Sequence, residues 1–400
     1  MDNTSAQPKA FEYADNGERR EILANISKVV IKVGTKLLTG DRHASKAERI
    51  EQLIDAVSVL RARGLDVLLV SSGAIGAGMT VLGTHKRPRQ LPYLQSYAAV
   101  GQCRLMYLYE TACEKHGWHS AQILLTEADV KDRERHLNVT SCLNALLAKG
   151  VLPVINENDS VSVDEIRFGD NDTLAAMVAV MVKADLTILL TTVDGLQEIQ
   201  EGNLGERLSV VREITPAVRN MAQDTADPNF SVGGMNSKVQ AADSVVRAGE
   251  ALWIANGEKF DIVTRLIDGE DLGTLFMPRS TTPMRGQQRY LAFFSGCNGE
   301  LLIDRGAARA LRNEGRSLLP KGVIGVKGNF KRGDTLRITT EDGIEVGRGI
   351  SNYDAAEIKI IEGAHSKDLT SLLGYDAVDN TVVHRDRMVI TGEDEKRAEG

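Results

Sequence analysis

The 400-residue chain is 42% hydrophobic and 26% charged, which is ordinary for a globular protein long enough to bury two cores. Its formal net charge of −7 argues against a general binder of phosphate backbones, though not against a local basic patch. No apolar run approaches the roughly 20 residues that span a bilayer, and residues 1–25 lack the apolar centre of a secretory signal. A cytoplasmic protein with no membrane partner is expected. Cys103, Cys113, Cys142 and Cys297 form no CxxC pair and have no histidine at metal-ligand spacing, so they read as reduced structural thiols.

Residues 1–25 read as a flexible extension with a short helix near Glu18–Leu23. From Lys28 onward short β-branched runs alternate with helical stretches. Lys28–Val33 is a strand, Ser45–Arg63 a helix with apolar positions at Ile50, Leu53, Ile54, Val57 and Leu60, and Asp66–Val70 a second strand. The pattern continues with strand Ala121–Leu125, helix Arg133–Lys149, strand Val151–Ile155, helix Asp172–Lys183 and strand Leu186–Thr191. Helix Ser237–Ala248 and strand Ala251–Ala255 close it. Strands without polar alternation, separated by helices, predict an α/β fold: a three-layer sandwich around a mainly parallel sheet buried on both faces. Ligands of such sheets gather at the carboxyl ends of the strands.

This first domain is assigned to residues 26–277. Residues 278–288 contain proline and a Ser-Thr-Thr run and read as a linker. Short, glycine-punctuated strands follow, such as Leu301–Ile303, Val323–Val326, Thr335–Ile338 and Glu345–Ile350. They predict a small β-rich domain over residues 289–386, then a solvated tail over 387–400.

Four segments carry candidate chemistry. Lys32 lies inside the apolar run Val30-Ile31-Lys32-Val33-Gly34, where its burial demands an anion; a lysine reaching out to water from an edge strand explains it equally well. Ser71-Ser72-Gly73-Ala74-Ile75-Gly76-Ala77-Gly78 follows a strand and opens a helix, offering backbone N–H groups to an anion. It matches neither the Rossmann nor the Walker spacing, and tight helix packing accounts for its glycines almost as well. Asn156-Glu157-Asn158-Asp159 and Arg167-Phe168-Gly169-Asp170-Asn171-Asp172 crowd amides and carboxylates between two firm elements, more than helix capping alone requires. In Gly233-Gly234-Met235-Asn236-Ser237-Lys238 a lysine enters the first turn of a helix, against the dipole unless an anion sits there; an ordinary glycine turn with a solvated lysine explains it about as well. Two cations, a glycine cradle and a carboxylate between them are the parts phosphoryl transfer needs. His136, His365 and His384 are isolated and belong to no nucleophilic arrangement.

In this order the segments resemble the amino acid kinase family. The resemblance runs from about Lys28 to about Asp386, on VVIKVGTKLLTG, VSSGAIGAGM, AAVGQCRLM, DRERHLN, LPVINENDSV, FGDNDTLAA and GGMNSKVQAA. INEND followed by GDND points to the branch whose acceptor is the side-chain carboxylate of L-glutamate. The resemblance implies an eight-stranded, mainly parallel sheet and transfer from ATP, with Mg2+ on its phosphates, to give L-glutamyl 5-phosphate, the first step of proline biosynthesis. It implies catalytic roles for Lys32 and Lys238, with Asp172 organising them. Ser72, Gly73, Asn156, Asp159, Asp170 and Asn171 fall at substrate positions. Thr191, Thr192 and the run Gly233, Gly234, Met235, Asn236, Ser237 and Lys238 fall at nucleotide positions, with Lys32. Proline inhibition and a homo-oligomer, dimer or tetramer, are implied as well. Residues from about Arg289 to Gly374 resemble a PUA domain through SLLPKGVIGVKGNFKRGD and HSKDLTSLLGYD. Acidic and basic residues are equal in number between 285 and 400, so a structural or regulatory appendage is favoured over RNA binding.

Two departures fall on the nucleotide side. Thr191-Thr192 stands where the family commonly has Thr-Asp, and the stretch from Gln197 to Ser231 is divergent, so adenine preference is the property most exposed to change. The rivals are a sister kinase with another acceptor or nucleotide, and a regulatory RNA-binding protein whose kinase half is a relic. Retention of Lys32, Asp172 and Lys238 speaks against the second.

Overall fold

The computed structural model describes residues 11–12, 16–39, 45–162, 170–200, 203–224, 234–279, 284, 286–377 and 379–391. Residues 1–10 of the expected extension, 280–283 and 285 of the expected linker, and 392–400 of the expected tail lie outside these. So do Arg167, Phe168 and Gly169. The chain divides into two compact units, one of Met1–Val130 with Glu134–Pro283 and one of Lys131–Arg133 with Met284–Gly400.

The strands of the first unit are β1 (Phe11–Glu12), β2 (Lys28–Val33), β3 (Asp66–Val70), β4 (Ser120–Leu125), β5 (Leu152–Glu157), β6 (Leu186–Thr191), β7 (Gln197–Gln200), β8 (Asn203–Arg207), β9 (Val210–Val211), β10 (Ala251–Asn256) and β11 (Thr274–Phe276). Nine of them form one sheet in the order β1-β9-β11-β10-β6-β2-β3-β5-β4. From β10 to β4 every neighbouring pair is parallel. β11 turns antiparallel to β10 and β1 antiparallel to β9, so the sheet has nine strands rather than the expected eight. β1, β9 and β11 are two or three residues long, too short to show a hydrophobic period.

The central strands are continuous apolar runs because helices cover both faces. Val29, Val30 and Ile31 of β2 are 0% exposed, as are Leu68, Leu69 and Val70 of β3. Helix Lys46–Ala62 buries the predicted stripe of Ile50, Leu53, Ile54, Val57 and Leu60. Its start is fixed reciprocally: Ser45 Oγ accepts from the Glu48 amide, and the Glu48 carboxylate accepts from the Ser45 amide at 2.6 Å. Helix Asn171–Val182 packs on the sheet and against helix Met235–Arg247, which itself contacts β10, and is buried over most of its length.

Part of the expected extension is built into this unit. Helix Asn16–Leu23 places Arg19, fully buried, against the Asp271 carboxylate at 2.6 Å and the Ser209 hydroxyl at 2.7 Å, with its guanidinium over Trp253. The Arg19 charge is paired inside the protein while Arg20 and Glu21 stay exposed, so the segment expected to be a flexible extension packs on this unit through Arg19.

The glycines of GAIGAGM and AAVGQ bring two helices into backbone contact. A Cβ at Gly101 of helix Leu91–Glu114 would collide with the Ala74 carbonyl oxygen and the Gly78 amide nitrogen, and one at Gly78 with the Tyr97 carbonyl oxygen. Overpacking of this kind typically costs about 1–3 kcal/mol, so Gly101→Ala is expected to lower the urea midpoint accordingly. An unchanged midpoint would show that the two helices are not in this register.

The second unit is a five-stranded sheet of β12 (Gly299–Ile303), β13 (Val323–Gly328), β14 (Thr335–Thr340), β15 (Glu345–Ser351) and β16 (Val383–Ile390), ordered β13-β12-β14-β15-β16. β12 and β14 are parallel and the other pairs antiparallel. Its separate core includes Leu301, Leu336, Ile338, Val346, Tyr353, Ile358 and Val383. Residues 387–390, assigned to the tail from their charge, complete β16: Met388 and Val389 are buried and pair with Gly349 and Arg348. Helix Gly286–Phe293 likewise begins inside the expected linker.

Candidate active site

β6, β2, β3 and β5 are adjacent and parallel, so their carboxyl ends share one edge of the sheet. Lys32 is the penultimate residue of β2 and is 8% exposed. It does not reach out to water: its Nζ lies 2.6 Å from Asp172 Oδ1. Lys238 Nζ, from helix Met235–Arg247, donates to the other oxygen of the same carboxylate at 2.9 Å, and Ser237 Oγ approaches it at 3.4 Å. Two ammonium groups more than 200 positions apart in sequence are thus bridged by one fully buried carboxylate.

Asp172 occupies the second position of helix Asn171–Val182, where the dipole favours a negative charge. Burial is the strongest single influence on it and favours the neutral acid. The charges of Lys32 and Lys238, with the hydrogen bonds both make, together outweigh burial and hold the carboxyl below the ordinary carboxylate range. Asp170 Oδ1 caps the same helix, accepting from the Asp172 and Thr173 amides at 3.0 and 2.9 Å.

Beside this bridge runs a chain of amides. Asn171 Nδ2 donates toward the Ser71 carbonyl at 2.6 Å, Ser72 Oγ at 2.8 Å and Asn156 Oδ1 at 3.0 Å. Gly73, at φ 92°, makes the left-handed turn from β3 into helix Ala74–Val81, whose amino end has no side-chain cap. A Cβ there would also press on Thr35 Cγ2 at 3.3 Å. Asp159 lines a cavity of about 410 Å³ with Gln102, Gln122, Glu157 and Asn158.

Thr191 ends β6 at the same edge of the sheet and Thr192 follows it. Among the described residues no hydrogen bond links either side chain to the bridge. Gly234 precedes helix Met235–Arg247, so Met235, Asn236 and Ser237 belong to its first turn with Lys238 in fourth place; the helix begins earlier than its sequence suggests. Gly233 lies outside the described residues. Buried His136 meets the Val130 carbonyl, and all four cysteines are free thiols.

Read from sequence, Gln102 and Tyr109 have no separate role, and Ser71 enters only as the opening residue of the glycine-rich turn. Tyr109 and Ser71 hydroxyls meet at 2.8 Å beneath the turn, and burial pushes the Tyr109 phenol far above its usual range. The one signal for Gln102 is its place inside AAVGQCRLM, immediately after the glycine that lets the helices touch.

Residues 27–256 match the profile of the amino acid kinase family, and the chain belongs to that family. Residues 299–373 match the PUA domain. Among curated relatives, the chain is 42% identical to the glutamate 5-kinase of Trichlorobacter lovleyi over 93% of its own length and 99% of that protein's. It is 43% identical to the glutamate 5-kinase of Chromohalobacter salexigens, over 93% and 98% of the two chains. With that of Caldanaerobacter subterraneus subsp. tengcongensis it shares 40% identity over 92% and 99%.

Proposed function

We propose that the protein transfers the terminal phosphoryl group of ATP to the side-chain carboxylate of L-glutamate, giving L-glutamyl 5-phosphate and ADP. The observation that carries this reading is the bridge Lys32–Asp172–Lys238, one carboxylate bidentate to two cations. A glutamate oxygen attacks the terminal phosphorus while the bond to the bridging oxygen of ADP breaks. The nucleophile is already ionised near neutral pH, with an ordinary pKa of about 4.3, so no general base is required. Charge neutralisation and alignment are what the protein must supply.

In this reading Lys32 and Lys238 face the migrating group and Asp172 keeps them aimed. Ser72, Gly73, Asn156, Asp159, Asp170 and Asn171 hold glutamate, and Thr191, Thr192 and 233–238 hold the nucleotide. Asp172 and Asp170 have work within the protein, which supports Mg2+ arriving on the ATP phosphates as part of the substrate. The reaction would be the first step of proline biosynthesis, with proline as inhibitor at the glutamate site and a dimer or tetramer as the working form. The C-terminal domain is kept as a structural or regulatory appendage. No helix among the described residues is long and apolar enough to cross a membrane; a cytoplasmic location completes the proposal.

A coupled ADP-release assay with glutamate, aspartate and acetylglutamate tests the acceptor, with hydroxylamine trapping the acyl phosphate before it cyclises. Glutamate is expected to exceed both alternatives in kcat/KM by about ten-fold or more. Turnover of aspartate or acetylglutamate without turnover of glutamate overturns the assignment.

A further inference from the structure

Gln102 projects from the middle of helix Leu91–Glu114 into the interior, 8% exposed, next in sequence to Gly101 at the helix contact. Its Oε1 accepts from Asn156 Nδ2 at 3.0 Å. Its Nε2 faces Gln122 Oε1 at 3.5 Å, which favours one orientation of its own amide. Asn156 Oδ1 then accepts twice at 3.0 Å, from the Glu157 backbone amide and from Asn171 Nδ2.

The direction of this chain is set by groups that cannot reverse. At one end the Glu157 N–H can only donate, so it demands an oxygen from Asn156. At the other the Ser71 carbonyl can only accept, so it demands the nitrogen of Asn171. Asn156 therefore always turns its own NH2 toward helix Leu91–Glu114, in a setting where it is 3% exposed. An acceptor must meet it there, and Gln102 Oε1 is that acceptor.

We propose that Gln102 is a positioning residue for the acceptor substrate, meeting the one Asn156 donor that the fixed direction of the chain leaves over and so holding Asn156 and Asn171 in place. The inference rests on the glutamate kinase reading above. With the two hydrogens of Asn171 Nδ2 shared among Ser71, Ser72 and Asn156, its Oδ1 is the atom left for a ligand, an acceptor suited to the ammonium group of an amino-acid substrate. Loss of the Gln102 oxygen leaves the buried Asn156 donor unmet, which shifts Asn156 from its place and, through their shared hydrogen bond, Asn171 with it.

The test is steady-state kinetics of the full chain with Gln102→Leu and Gln102→Glu, each alone and in an Asn156→Ala background. Gln102→Leu is expected to raise KM for glutamate by about ten-fold or more, the scale of an unmet buried donor, with KM for ATP within about two-fold. Gln102→Glu retains an acceptor and restores KM for glutamate to within about three-fold of wild type. In the Asn156→Ala background Gln102→Leu adds less than about two-fold, because its route is already cut. An unchanged glutamate KM in Gln102→Leu overturns the inference. So does equal damage by leucine and glutamate, or a parallel rise in both KM values with a lowered melting temperature. If the leucine variant does not fold, Gln102→Met keeps the length of the side chain and is read the same way. Wild-type protein that turns over no glutamate refutes the kinase reading itself and this inference with it; normal wild-type turnover with an indifferent Gln102 refutes only the inference.

Discussion

Lys32→Ala and Lys238→Ala are each expected to lower kcat by about 100- to 1,000-fold, the usual cost of removing one preorganised group from a developing anionic charge. Each variant should still fold, because Asp172 keeps one cationic partner in either case: Lys238 at 2.9 Å or Lys32 at 2.6 Å. The loss should appear in kcat and kcat/KM together, since the interaction strengthens as the phosphoryl group leaves ADP. Steady-state kinetics beside a thermal melt separates this from simple unfolding. Near-normal kcat in both variants would remove both lysines from the reaction. A fall in one variant alone would leave the other lysine as a structural partner of Asp172.

Much of this arrangement could be read before any coordinates, and the reason is physical. A lysine inside β2 has a cost unless something negative meets it, so Lys32 stood out from Val30, Ile31 and Val33 around it. The same holds for Lys238, which the sequence places in the first turn of its helix and the structure in fourth position. The parallel core was equally legible, because strands covered on both faces lose their polar alternation. What escaped notice carries weaker signals. The hairpin of β7 and β8 fell inside a stretch marked only as divergent, and β9 and β11 are too brief to show any period. Arg19 was hidden by its charged neighbours; nothing in NGERREIL says which of two adjacent arginines meets an aspartate about 250 residues away. Gln102 was silent for another reason. An amide carries no charge, and its value here lies in the direction of a hydrogen bond that only the fold creates.

Asp172→Asn is the change with the largest expected effect on the protein itself. It keeps the shape of the side chain and removes the one charge shared by Lys32 and Lys238, which are 8% and 6% exposed. Removing one partner from a buried ionic cluster typically destabilises by about 3–5 kcal/mol, because the remaining charges stay buried without compensation. Activity should fall as well, as the two ammonium groups repel and lose their common aim. The pH dependence carries a sign of its own. The folded carboxyl titrates below the ordinary value of 3.8, so the bridge contributes fully above that value and is lost as pH falls through the folded pKa. Urea unfolding should therefore show a constant gap between wild type and Asp172→Asn from neutral pH down to about pH 5, closing in stronger acid. MgATP should narrow the gap at neutral pH, since a polyphosphate that binds only the folded state supplies the missing negative charge. A variant as stable as wild type at neutral pH, with unaltered kcat, would mean that neither folding nor phosphoryl transfer depends on the shared carboxylate.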